Sequence, residues 1–219
     1  MSLKAFSYIR RGGRMTKSQQ RGFEQHLPTF QLSLEELASL SGAKPLGLEI
    51  GFGMGQALLS WAEQAPDWNL LGVELYRPGV GALADQLAKQ EIANVSIVTE
   101  PAQEVVAHLQ AAVLGEVRIF FPDPWHKKRH AKRRLIQPDF VAQLRRTMAP
   151  KAKLHLATDW SPYAEWMREV MQAASGFELH QDSRRAADEQ AQIDRQLTKF
   201  ERRGEKLGHD IQDLIYLAV

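Results

Sequence analysis

The chain of 219 residues contains no cysteine. That excludes disulfide staples, thiolate metal sites and cysteine nucleophiles, and it fits a reducing cytoplasm. It also has no run of about 18 apolar residues, and its first residues lack the apolar core of a secretory signal. Neither a membrane span nor a cleaved leader is therefore expected. Net charge is nearly absent at +2, but its distribution is uneven. Residues 1–30 sum to +5, residues 126–153 to +9, and everything else to −12. Two basic patches on an acidic body are the footprint of nucleic-acid binding. At 44% apolar and 25% charged residues the composition suits one medium domain with a full core.

Residues 1–30 show no sustained apolar periodicity and contain Arg10-Arg11-Gly12-Gly13-Arg14-Met15-Thr16-Lys17. They read as a flexible basic arm, with a single domain over 31–219. From residue 45 strands and helices alternate. The patterns predict strands at 46–50, 70–75, 95–98, 117–121 and 153–157, and helices at 56–64, 80–90, 102–113, 138–148 and 162–174. Runs 177–180 and 211–219 are candidate final strands, 198–208 a candidate helix, and the polar stretch 181–195 reads as a loop. Alternation of this kind argues for an α/β fold, a mostly parallel sheet with helices on both faces. The strongly apolar last run is expected to insert antiparallel near one edge.

Acidic residues recur where these strands end: Glu49, Glu74, Glu100, Asp123 and Asp159. In an open α/β sheet the carboxyl ends of the strands line the ligand crevice, so five carboxylates in register outline a site. After the first strand comes Glu49-Ile50-Gly51-Phe52-Gly53-Met54-Gly55. Alternate glycines permit a tight turn and close approach of backbone to ligand. Gln56 stands where a dinucleotide fingerprint places its third glycine. Glu49 would repel a pyrophosphate and attract a cation, which favours S-adenosylmethionine, a ligand with an ammonium, a sulfonium and no phosphate. Glu74 suits the ribose hydroxyls, and Glu100 the neighbourhood of the adenine amino group.

The most specific stretch is Phe121-Pro122-Asp123-Pro124-Trp125-His126-Lys127-Lys128-Arg129-His130-Ala131-Lys132-Arg133-Arg134. Two prolines fix the backbone on either side of Asp123. Asp123 is thus a carboxylate held stiffly at the end of the fourth strand, the leading candidate to stabilise positive charge developing on a nucleobase. Asp159 is the second candidate, or else caps the helix that begins near Pro162. Lys127, Lys128, Arg129, Lys132, Arg133 and Arg134 read as phosphate contacts. Trp125 either stacks on a base or is buried beneath the loop. His126 and His130 lack a third partner at metal spacing, so no metal is expected.

Glu-Ile-Gly-Phe-Gly-Met-Gly, Phe-Phe-Pro-Asp-Pro-Trp-His-Lys-Lys-Arg-His, Ala157-Thr158-Asp159-Trp160 and Thr198-Lys199-Phe200-Glu201 occur in that order. With Arg10–Lys17 they make nearly the whole chain resemble the bacterial tRNA (guanine-N7-)-methyltransferase family. The resemblance implies a class I S-adenosylmethionine-dependent methyltransferase (Rossmann-like) fold with a seven-stranded sheet. It implies methylation of a tRNA variable-loop guanine to 7-methylguanosine by a cytoplasmic monomer or homodimer. By motif match it puts the cofactor on Glu49, Gly51, Gly53, Gly55, Glu74, Glu100 and Asp123. Substrate roles fall on Lys127, Asp159, Thr198, Lys199, Phe200 and Glu201, although Glu201 has an alternative partner in an arginine of 195–203. Two positions depart from the family pattern: Glu100-Pro101 replaces its aspartate-containing turn, and Gln196 stands where a proline often precedes the Thr-x-Phe-Glu segment.

Other readings remain open on the residues alone. A methyltransferase for a small molecule would not need two basic patches. Amino-nitrogen or C5 methylation would call for an Asn-Pro-Pro-Tyr motif or a catalytic cysteine, and the chain has neither. An RNA-binding module with a vestigial cofactor fold would not be expected to keep Glu49, the three glycines and Glu74.

Overall fold

Short runs rich in Leu, Val and Ile, buried on both sides, build the centre of the molecule. The computed structural model describes residues 13–38, 40, 42, 44–185 and 210–219. Its strands are β1 (Leu46–Ile50), β2 (Asn69–Val73), β3 (Val95–Val98), β4 (Leu114–Phe120), β5 (Met148–Thr158), β6 (Phe177–Arg185) and β7 (Ile211–Ala218). They form one sheet in the order β3-β2-β1-β4-β5-β7-β6. Only β7 runs antiparallel to its neighbours, inserted between β5 and β6. That is the placement expected for the last apolar run.

Every residue of β1 is buried, as a parallel strand covered on both faces requires. Alternation then divides the core. Leu46, Leu48 and Ile50 share one face with Val117, Ile119, Leu154, Leu156 and Leu214. That face packs on the helices Ala102–His108, Pro138–Thr147 and Ser161–Ala173. The last of these presents Tyr163, Ala164, Met167, Val170 and Met171, an i, i+1, i+4, i+7, i+8 stripe. The opposite face carries Leu70 and Ile97 against Gln56–Gln64 and Arg77–Lys89, with Leu58, Trp61, Val80, Leu83 and Leu87 between them.

In chain order the helices are α1 (Lys17–Arg21), α2 (Leu27–Phe30), α3 (Leu34–Leu37), α4 (Gln56–Gln64), α5 (Arg77–Lys89), α6 (Ala102–His108), α7 (Pro138–Thr147) and α8 (Ser161–Ala173). A π-helical turn, Gly22–His26, joins α1 to α2.

The structure corrects the flexible arm from Lys17 onward. Phe23, Leu27 and Phe30, at i, i+4 and i+7, pack into the second core cluster, and Leu27 is buried. Asp85 of α5 has no solvent exposure and holds the segment: Ser18 Oγ donates to it at 2.7 Å, Arg21 Nε at 2.8 Å, and Lys89 Nζ lies 2.6 Å away. Close approach is enforced by glycine, since a Cβ on Gly22 would sit 1.9 Å from the Gly81 carbonyl oxygen. Two further boundaries differ from the sequence patterns. α6, expected over 102–113, stops at His108, because Leu109 turns extended. β6 continues to Arg185, so the first residues of the expected polar loop pair with β7 instead. The candidate helix over 198–208 lies outside the described residues.

Candidate active site

Strand order reverses at β1: β2 and β3 lie to one side, β4 and β5 to the other. The crevice over the carboxyl ends of strands at such a switch point is where open α/β sheets bind ligands. The glycine loop leaves β1 on one side of it, and the Pro-Asp-Pro turn leaves β4 on the other.

Gly51, Gly53 and Gly55 have φ of 77°, 57° and 80°. A Cβ at Gly51 would meet nothing within 4 Å, so bare backbone borders open space where a ligand can approach. A side chain there would be strained and would fill the cradle. Glu74, just past β2, accepts from the Gly53 amide at 2.8 Å through Oε2 and from the Leu75 and Tyr76 amides at 2.7 and 2.9 Å through Oε1. The carboxylate therefore ties the glycine loop to the end of β2 and presents a fixed acceptor edge beside it. These residues fit S-adenosylmethionine: an unobstructed glycine backbone with an anchored carboxylate, and no phosphate-binding demand.

Glu49 is buried, 3% exposed, and pairs in register with Gly72 of β2 and Arg118 of β4. It sits within the sheet below the loop. Arg118 is itself buried, donates to Glu116 at 2.6 Å and lies 3.7 Å from the Trp61 ring centroid. Its importance was visible in the sequence only as one charge inside Val117-Arg118-Ile119. Glu100 stands, partly exposed, at the entry to α6, with Pro101 as that helix's N-cap.

Asp123 is exposed, on a turn bracketed by two aromatic residues in the left-handed region, Phe121 at φ 50° and Trp125 at φ 47°. Such conformations cost about 1–3 kcal/mol each and persist only where the surroundings impose them. Asp159 follows β5 on the adjacent strand. It does not cap α8: the N-cap is Trp160, with no side-chain cap bond.

The six cations after Trp125 separate into two groups. Lys127, Lys128, Arg129 and Lys132 are exposed, partly on a 3₁₀ turn, Lys128–Arg133. Arg133 instead lies 5.1 Å from the Trp125 ring centroid, and Arg134 Nε donates to the Pro124 carbonyl at 3.0 Å. Trp125 thus packs with Arg133 on one side and the edge of His130 at 5.9 Å. Burial, then the charges of Arg133, Arg129, Lys127 and Lys132, hold the His130 pKa below its ordinary value. Later cations of the basic stretch are committed within the fold. Arg145 donates to the carbonyls of Gly176, Met148 and Val219, Arg146 to that of Val106, and Lys153 pairs with Glu116 at 3.1 Å.

Thr198, Lys199, Phe200 and Glu201 lie outside the described residues. Among the described residues, Arg185 pairs with Ile211, and Gln212 with Thr158, the residue before Asp159. Among the described residues no group of three His, Cys, Asp or Glu is placed to hold a metal, and no helix is long and apolar enough to cross a membrane.

Residues 43–214 match a family model described as "Putative methyltransferase". The tRNA (guanine-N(7)-)-methyltransferase of Pseudomonas aeruginosa strain UCBPP-PA14 is 47% identical over 215 residues, covering 95% of this chain and 87% of that one. The enzyme of the same name from Stutzerimonas stutzeri strain A1501 is 46% identical, covering 97% and 91%. Among solved structures, an antibiotic-related methyltransferase superposes with a TM-score of 0.62 at 16% identity, covering 86% of this chain and 95% of that one. The 16S rRNA methyltransferase KamB gives 0.61 at 17%, covering 84% and 91%. At that identity the two structures show the class I methyltransferase fold alone. The sequence matches go further, and they agree with a glycine loop and a Pro-Asp-Pro turn that leave the adjacent strands β1 and β4 at the switch point: the chain belongs to the tRNA (guanine-N(7)-)-methyltransferase family.

Proposed function

We propose that this chain transfers a methyl group from S-adenosylmethionine to N7 of a guanine in the variable loop of tRNA, giving 7-methylguanosine. The observation that supports the proposal is that an open glycine cradle follows β1 and an exposed carboxylate, trailed by exposed cations, follows the adjacent β4 at the switch point of the sheet. When bound, the cofactor supplies an electrophilic methyl group on a sulfonium. Gly51, Gly53, Gly55, Glu49, Glu74 and Glu100 are the residues assigned to hold it, with Glu74 already fixed by the backbone of the loop it serves. Guanine N7 carries an in-plane lone pair and no proton, so no general base is required. The protein's work is alignment and charge. Alignment of two reactants can supply up to about 7–11 kcal/mol of a barrier. Asp123 compensates the positive charge that the guanine gains, and accepts from its N1–H and N2–H groups as they become more acidic. Asp159 is assigned to the base, as the family resemblance assigns Thr198, Lys199, Phe200 and Glu201, while Lys127, Lys128, Arg129 and Lys132 hold the phosphates.

A tRNA substrate places the reaction in the cytoplasm. The test is methyl transfer to bulk tRNA followed by nucleoside analysis. 7-Methylguanosine is expected; a different methylated nucleoside, or none, would overturn the assignment.

A further inference from the structure

We infer that Arg134 is a positioning residue and not a phosphate contact: its guanidinium joins the turn that carries Asp123 to the turn that carries Asp159. The inference rests on the activity proposed above. Arg134 closes the basic run, and by sequence it is indistinguishable from its neighbours. In the fold it is only partly exposed. Its Nε donates to the carbonyl of Pro124, the residue after Asp123, at 3.0 Å. Its guanidinium carbon lies 5.3 Å from the ring centroid of Trp160, 5.1 Å from that of Tyr163 and 5.8 Å from that of Trp166. All three distances fall within the range of cation–π attraction. Trp160 directly follows Asp159, and the other two rings belong to the first turns of α8.

That bay of rings is itself fixed. Trp166 Nε1 donates to the Ile136 carbonyl at 2.7 Å, and the Ile136 amide donates to the Tyr163 hydroxyl at 3.4 Å. Tyr163 is fully buried. His126 meets Trp160 edge to face at 4.5 Å. The segment that leaves β4 is therefore fastened to the segment that leaves β5, with Arg134 between the two. The need is physical: a turn with Phe121 and Trp125 both left-handed holds its shape only under outside constraint. Arginine suits this task because a planar cation can lie among rings while Nε makes a directed bond. A lysine ammonium keeps the charge but cannot do both.

Lysine substitution therefore separates the two roles. Full-length Arg134→Lys and Arg134→Met are compared with wild type in single-turnover methyl transfer to tRNA at saturating cofactor and tRNA. Affinity for tRNA is measured across a salt series, and S-adenosylmethionine calorimetry reports an intact domain. Both variants should lose roughly 100-fold in rate, with tRNA affinity and its salt slope unchanged. Arg129→Ala, an exposed cation, should lower that slope by about one. Trp160→Leu, which opens the bay from the other side, should reproduce the rate loss. If Arg134→Lys turns over like wild type, the inference fails, and it fails even where Arg134→Met does not fold. A salt slope reduced by about one in Arg134→Met also makes it a phosphate contact. Wild type yielding no 7-methylguanosine in the same assay would remove the proposed activity and this role with it; an active wild type with an equally active lysine variant removes the role alone.

Discussion

At the scale of single residues the proposed chemistry rests on carboxylates whose geometry is set by backbone. Asp123 projects from a turn stiffened by two prolines and two left-handed aromatics. Asp123→Asn keeps the size and one acceptor but removes the charge. A large loss in single-turnover methyl transfer at saturating substrates is expected, with tRNA affinity nearly unchanged. Because N7 has no proton to give up, the wild-type rate should lack the acid limb of a base titrating near neutrality. An asparagine variant with normal turnover would pass the role to Asp159. Glu74→Ala should weaken cofactor binding by roughly 10- to 150-fold, the equivalent of one charged hydrogen bond at about 1.5–3 kcal/mol. Calorimetry measures this directly. Glu49→Ala should do the same, from inside the sheet, and unchanged affinity in both variants would dismiss the cofactor assignment. Both carboxylates and the start of the Pro-Asp-Pro turn were legible in sequence because each sits within two residues of a strand end. What Glu74 does with its oxygens was not legible, since Gly53 is 21 residues away.

At the scale of elements, α1 and the π-helical turn change how the N-terminus is understood. Charge dominates residues 1–30, and it hid the sparse stripe of Phe23, Leu27 and Phe30 that docks them on α5. Burial alone would push the Asp85 pKa up; hydrogen bonds from Lys89, Ser18 and Arg21 outweigh it and hold the carboxyl well below the usual range. A depressed pKa in the folded state contributes stability that is complete above the unfolded value, near about pH 4, and is lost as pH falls through the folded value. Asp85 itself should therefore stay ionised from pH 5 to 8, facing Arg21, Lys89 and, at 4.0 Å, His26. Asp85→Ala should cost about 2–3 kcal/mol, moderated because Arg21 and Lys89 are 43% and 51% exposed and can be rehydrated. For a chain of this size that is a fall in Tm of roughly 4–12 °C. Calorimetric melting at pH 7 and below pH 3 checks both magnitude and sign, because the gap between wild type and variant should narrow in acid. The same docking sets where a truncation can be made. Removing residues 1–20 deletes Ser18 and most of α1 and should lower the melting temperature.

At the scale of the whole molecule, segregated charge should govern tRNA affinity. Each exposed cation among Lys127, Lys128, Arg129 and Lys132 that meets a phosphate should steepen the salt dependence by about one unit of slope. A filter-binding series from 50 to 200 mM salt on wild type and the four alanine variants checks this, and a flat wild-type dependence would defeat it. The sequence counts ten cations between 126 and 153, but the fold engages many of them internally. Arg145 and Arg146 bind carbonyl oxygens of the fold, Lys153 pairs with Glu116, and Arg134 holds Pro124. A charge count cannot make that separation, because the partners come from elsewhere in the chain: Gly176 stands 31 residues from Arg145, and Asp85 64 residues from Arg21. By itself the sequence determined the order of strands and helices from residue 45 to the end of α8, and the parallel sheet with its one reversed strand. It also determined the glycine loop and the proline-bound carboxylate. Each of these follows from periodicity, proline and glycine, which act over a few neighbouring residues. Only the tertiary structure decided which cations of the basic stretch are exposed, that Glu49 lies beside a buried Arg118, and that residues 23–30 join the core. Those outcomes depend on burial and on pairing between distant residues, and neither is fixed until the chain has folded.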